Sequence, residues 1–227
     1  MASIKPSPPD AVAMHMSFDQ GRLSVHGATV QFCVEAAWQL QDFEISGGPK
    51  WIASDRYDIL AKAPDAAGQI QLMQMLQTLL ADRFQMQFHR ESRLVAGYAL
   101  VVAKSGPKLK EAAEGAPTGT GMGRGMVNGT AAPMTRLAEA LARVLGRPVA
   151  DETGLAGKYD FRLEWTAADT EPLMQKPGEM PDPAGQPAEL GPSVFAAIQE
   201  QLGLRLEARR APVQVMVIDR LDKPTEN

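Results

Sequence analysis

The sequence predicts an α+β protein with mainly antiparallel sheets, arranged as two pseudo-repeated halves of strand, helix, strand, helix and hairpin. Three observations carry that expectation. One pattern occurs twice: Gly27–Ile59 (GATVQFCVEAAWQLQDFEISGGPKWIASDRYDI) and Gly129–Phe161 (GTAAPMTRLAEALARVLGRPVADETGLAGKYDF) superpose without a gap, Tyr57-Asp58 falling on Tyr159-Asp160. Several segments place apolar residues at spacings of three and four, the helical period, while others alternate apolar with polar residues, the period of a half-buried strand. Neighbouring alternating segments lie close enough in sequence to pair as hairpins, which makes a doubly wound parallel sheet the weaker alternative.

In chain order, Ala2–Lys5 reads as a short strand halted by Pro6, Pro8 and Pro9, which cannot donate to a ladder. Met14–Phe18 and Arg22–Val25 alternate on either side of Asp19-Gln20-Gly21 and predict a hairpin. Thr29 then caps a helix whose apolar face is Val30, Cys33, Val34, Ala37 and Leu40. The helix gives out before Gly47-Gly48-Pro49, leaving Trp51 in a loop ahead of a strand with Tyr57, Ile59 and Ala61 on one face. A second helix, about residues 68–82, buries Leu72, Met75, Leu76, Leu79 and Leu80. Phe84, Met86 and Phe88 alternate with Gln85, Gln87 and His89, and Tyr98–Ala103 is expected to pair with this strand around Glu91–Gly97.

Ser105–Gly125, rich in Gly, Lys and Glu, is expected to be a linker that divides the chain into an N-terminal repeat, residues 1–110, and a C-terminal repeat, residues 111–227. The order then recurs. Met126–Asn128 is a short strand, and Met134, Leu137, Ala138, Leu141 and Val144 mark a third helix that stops at Gly146 and Pro148. Val149 and the strand Tyr159–Trp165 follow. Residues 167–190, with prolines and acidic residues but no apolar period, are expected to be a disordered insertion. A fourth helix from Pro192 to about Gln201 leads into alternating Leu202, Leu204 and Leu206, with Val213, Val215 and Val217 as the returning strand.

Composition sets limits on function. Of 227 residues, 44% are hydrophobic and 22% charged, enough to bury a sizeable core and to exclude disorder of the whole chain. A net charge of −4 with no basic stripe argues against nucleic acid as a partner. No run approaches the roughly 18 apolar residues of a spanning helix, so no membrane insertion is expected. Cys33 stands alone on the apolar face of the first helix and reads as a small buried hydrophobe rather than a reactive thiol. Met1-Ala2-Ser3-Ile4-Lys5-Pro6 does not read as a signal peptide, so the protein is expected either to stay where it is made, in the cytoplasm, or to have lost a leader.

No catalytic set, metal site or cofactor motif emerges from the residues. His15, His26 and His89 are far apart, and HExxH is absent. Ser105-Gly106-Pro107-Lys108 spells S-x-x-K, but its Gly-Pro prevents the helical turn that would bring the lysine over the serine. Asp58 and Asp160 occupy equivalent places and read as acceptors of backbone hydrogen bonds in preference to a carboxylate dyad. Gly121–Gly125 lacks the preceding strand and the Gly-Lys-Ser/Thr ending of a phosphate loop. The candidate ligand contacts are Ser46, Lys50 and Trp51, in a Gly-rich loop whose amides can converge on an anion and whose indole can meet a partner. A plain turn with a packed Trp is the competing reading.

Several stretches together resemble a known family over nearly the full chain: Ala2-Ser3-Ile4-Lys5-Pro6, Ile45-Ser46-Gly47-Gly48-Pro49 with Trp51, Tyr57-Asp58-Ile59, Leu80-Ala81-Asp82-Arg83-Phe84, Gly106-Pro107-Lys108-Leu109, Thr153-Gly154-Leu155 with Tyr159-Asp160-Phe161, and Gln201-Leu202-Gly203-Leu204. The family is a soil-associated group of uncharacterised proteins expanded in Acidobacteria, some fused to BlaR-type membrane peptidase sensors. The resemblance implies a periplasmic or extracellular setting and supplies no catalytic residues. More loosely, the repeated helix-strand unit looks like the small N-terminal modules of secretins and TonB-dependent receptors. The expected function is a non-enzymatic extracytoplasmic binding or sensing module for a protein, peptide or glycan, without a cofactor, with contacts from the Ser46–Trp51 loop and the cleft between halves. The alternatives are a small hydrolase acting on an ester, lactone or polymer, and a self-associating structural protein.

Overall fold

The computed structural model describes residues 2–8, 14–19, 21–63, 67–166 and 192–224, so the insertion expected near 167–190 lies outside the described residues. The chain forms two compact units, one of Met1–Ser92 with Gln214–Asn227 and one of Arg93–Val213. The expected division at residues 110 and 111 puts the C-terminal stretch with the second half, whereas Gln214–Asn227 belongs to the first unit.

The first unit begins with strands β1 (Ala2–Pro6), β2 (His15–Asp19) and β3 (Arg22–Thr29). Helix α1 (Val30–Trp38) follows, capped as expected: the Thr29 hydroxyl accepts from the Phe32 amide at 3.2 Å. Then come the short strand β4 (Ile45–Gly47), a 3-10 turn at Lys50–Ala53, strand β5 (Arg56–Lys62) and helix α2 (Gln69–Arg83). An antiparallel sheet takes the order β1-β5-β3-β2. Alternation sends Leu23, Val25, Ile59 and Ala61 to one face, where they meet Val30, Cys33, Val34 and Ala37 of α1 and Leu72, Leu76 and Leu80 of α2. Met216 and Ile218, from the C-terminal stretch, complete this core.

The alternating segments after α2 are not a hairpin. Strand β6 (Gln87–Val102) runs on through Glu91–Gly97, where no Asn-Gly, Asp-Gly or Pro turns the chain. The unit boundary falls inside it, between Ser92 and Arg93.

The second unit continues with β7 (Lys110–Glu111), β8 (Gly119–Gly123), β9 (Met126–Pro133), helix α3 (Met134–Leu145), β10 (Val149–Asp151), β11 (Lys158–Glu164) and helix α4 (Val194–Leu202). Its antiparallel sheet takes the order β7-β11-β9-β8. The linker expected at Ser105–Gly125 therefore contains two strands of that sheet. Glycine composition hid them: a Cβ on Gly121 would sit 2.4 Å from Asn128 Oδ1, because the Asn128 side chain occupies the place a side chain would take. Leu137, Leu141 and Val144 of α3, Ile198 and Leu202 of α4, and Val127, Leu163 and Trp165 form a second core.

Strand β12 (Leu204–Arg220) is likewise continuous where a returning strand was expected, and it also crosses the boundary, between Val213 and Gln214. The third sheet has the order β10-β6-β12-β4. In the first unit β4 lies parallel to β12, and in the second β10 lies parallel to β6. Strands β6 and β12 are antiparallel: the Asp222 amide donates to Phe84 O at 2.8 Å in one unit, the Ala103 amide to Gly203 O at 2.9 Å in the other.

Candidate functional site

The pairing of β4 with β12 sets the site, and two glycines make it possible. Gly47 and Gly48 adopt φ of 76° and 75°, in the left-handed region that side chains disfavour. A Cβ on Gly47 would stand 2.7 Å from Ile218 O, and the Gly48 amide donates to that same carbonyl at 3.0 Å. The Gly-rich loop thus spends its amide on strand β12. The register Met216↔Ile45, Val217↔Ser46, Ile218↔Gly47 decides which residues share a face. Met216 and Ile218 point into the core, so Val217, Asp219 and Ser46 lie on the opposite face.

That face carries an imidazole. His89 of β6 donates from Nδ1 to Asp219, both carboxylate oxygens lying 2.9 Å away, and Glu91 Oε2 stands 3.9 Å from His89 Nε2. The Asp219 carboxylate fixes the proton on Nδ1 and orients the ring, with Nε2 turned toward Glu91. The His89 side chain is 52% exposed and Asp219 47%, so the pair is open to solvent. One strand over, Ser46 is half-buried. With about 4.8 Å between neighbouring strands, β12 holds Ser46 and His89 roughly 10 Å apart across the sheet.

The residues expected to contact ligand divide. Ser46 joins this polar face, and Lys50 is exposed at the start of the 3-10 turn. Trp51 is half-buried, its ring stacked on Phe84 at 6.5 Å and edge-on to Tyr57 at 6.5 Å. Lys223 Nζ lies 5.6 Å from the indole centroid and 2.6 Å from Asp55, pinning the C-terminal stretch over the ring and holding the Asp55 carboxyl below its usual range. Nothing local in the sequence signals His89 with Asp219, which lie 130 residues apart. Extending the Val213–Val217 alternation by one step would have placed Asp219 on the right face.

Asp58 Oδ1 accepts from the Gly27 amide at 2.8 Å and from Ser7 Oγ at 2.7 Å, and the Gly27 bond in particular lowers the Asp58 pKa. Asp160 Oδ1 accepts from the Ala131 amide at 2.9 Å. Both carboxylates thus serve backbone bulges. Lys108 Nζ donates to Glu200 O at 2.8 Å and its amide to Leu202 O at 2.8 Å, so the S-x-x-K lysine closes the end of α4. Cys33 is buried, and loss of solvation pushes its thiol up to about 12. Among the described residues no group of three or more His, Cys, Asp and Glu side chains is placed to hold a metal. No helix among them is long and apolar enough to cross a membrane.

The family model described as a protein of unknown function (DUF3738) matches residues 31–221. No curated protein and no solved structure matches the chain significantly.

Proposed function

The chain belongs to the DUF3738 family, and on that footing we propose that it is a non-enzymatic binding or sensing module whose ligand, a protein, peptide or glycan, meets the face formed by Ser46, His89, Glu91 and Asp219. The observation that carries this reading is the oriented, solvent-open His89–Asp219 pair on a sheet face. Two carboxylates and a hydroxyl beside an imidazole on one surface suit a ligand rich in hydroxyl or amide donors. Binding of soluble oligosaccharides and peptides, followed by chemical shifts of the face and by calorimetry, should weaken at least tenfold in His89→Ala and Asp219→Ala, with melting temperature nearly unchanged. Ligands bound equally well by both variants would remove this face from consideration.

The envelope setting belongs to the same proposal, as do the acidobacterial source and the association with BlaR-type sensors. Its support is the resemblance alone, and fractionation of the native cell with a specific antibody tests it. So does descent of the two units from one duplicated plan. In support, each unit has a strand bulge whose amide meets the Asp of a Tyr-Asp pair, but the bulges set Gly27 against Ala131, two residues off the ungapped superposition.

A hydrolase is the second reading, favoured by one observation: Ser46 shares its face with a His-Asp pair. A serine and its base must approach to roughly 2.6–3.2 Å, and the intervening strand keeps these about 10 Å apart. A fluorophosphonate probe should therefore leave Ser46 unlabelled; labelling lost in Ser46→Ala would reverse the order of the two readings.

A further inference from the structure

We propose that the edge of β8 in the second unit docks an extended acidic peptide as an added strand. Among the described residues β8 pairs with β9 alone and ends the sheet order β7-β11-β9-β8. The β8–β9 turn has two residues, Arg124 and Gly125, so the flanking Gly123↔Met126 is a hydrogen-bonded pair, as are Gly121↔Asn128 and Gly119↔Thr130. The backbone groups of Thr120 and Met122 therefore point away from β9, toward whatever lies beside the edge. Natural edges are usually blunted by charge, proline or a bulge. Gly119-Thr120-Gly121-Met122-Gly123 has no charged residue or proline, its pairing with β9 is regular, and its glycines let another backbone come close.

The edge also has a wall. Thr118, Thr120 and Met122 face Arg136, Glu139 and Arg143 of α3 across a groove of about 460 Å³. The helix residues recur at spacings of three, four and seven, so they form one stripe along the groove. Arg136 Nη1 is tied to Glu139 Oε2 at 2.9 Å, which leaves the exposed Arg143 guanidinium without a carboxylate among the described residues. A strand added to β8 would send alternate side chains into this groove, where Arg143 selects a carboxylate. Backbone pairing supplies attachment and the arginine supplies preference, and neither depends on the polar face of the other unit.

A fluorescein-labelled peptide of alternating Glu and Val, about seven residues at roughly 3.4 Å each, is the probe, with fluorescence anisotropy and amide spectra as readouts. Saturable binding should shift the Thr118–Met122 amides. Thr120→Pro deletes an outward N–H while keeping the β8–β9 ladder, and Arg143→Glu reverses the wall charge; each should weaken binding at least tenfold, with the remaining amide spectrum retained. A peptide of the same charge with N-methylated backbone should not bind. Equal binding of that peptide, full binding by both variants, or no saturation with the probe would each overturn the proposal. So would dimerisation of the chain alone that Thr120→Pro abolishes, since a second copy would then occupy the edge.

Discussion

Ala131 holds φ at 43° in a bulge of β9, the conformation that Gly27 holds at 60° in β3. A left-handed residue with a Cβ costs about 1–2 kcal/mol, which Gly27 avoids and Ala131 does not. Gly27→Ala is expected to cost about that much in chemical denaturation. Ala131→Gly should be nearly neutral, because relief of the backbone offsets the roughly 0.8 kcal/mol lost with one buried methyl and the added chain entropy. The carboxylate that ties the first bulge predicts a pH dependence. Asp58 has a folded pKa below its unfolded value near 3.9, so its contribution is present above that pH and is lost as pH falls through the folded value. Asp58→Asn should cost about 1–2 kcal/mol at pH 7, and the difference from the wild type should shrink as pH falls through the lowered Asp58 pKa. Trp51→Ala should cost about 2–3 kcal/mol through lost stacking on Phe84 and Tyr57, so a melting temperature that stays put would refute its packing role. With its thiol near 12, Cys33 should react with a disulfide reagent at pH 8 only as fast as the unit opens.

Elements were legible where a local signal closed them. Helix α1 starts at its Thr29 cap, α3 stops at Gly146 with φ of 60°, and the β2–β3 hairpin turns where Gly21 sits. Strand length was not legible, because alternation gives a period and no end: β6 runs through Glu91–Gly97 and β12 through Arg209–Pro212 on pairing with each other, a fact about residues more than a hundred positions apart. Strand β8 was hidden because its glycines read as punctuation, though Asn128 is what requires Gly121. For the same reason only Ser46 of the polar face could be singled out from sequence, while His89 and Asp219 needed the sheet. Amide exchange can test the pairing directly. Gly119, Gly121 and Gly123 should be protected and Thr120 and Met122 fast, since only the first set donates to β9. In β4, Gly47→Ala should detach the strand from β12, with loss of protection at the Gly48 amide and a cost of about 2 kcal/mol.

At the scale of the molecule, the first unit is discontinuous in sequence and the second is not. Met216, Ile218 and Leu221 are each less than 10% exposed and belong to the first core, so a fragment ending at Ser92 lacks part of its own interior. That fragment should be unfolded by circular dichroism and should recover structure when Gln214–Asn227 is joined to it through a flexible linker. Failure of the joined chain to fold would show that the first unit needs more than its own residues. Because Arg93–Val213 enters and leaves through the middle of the first unit's chain, the stretches Met1–Ser92 and Gln214–Asn227 on either side of it belong to the same unit. Tension applied through handles at those two flanking stretches is borne first by that unit, and the inserted one feels no load until its host has been pulled apart. Stretching single molecules should give two extensions in a fixed order, the shorter always preceding the longer.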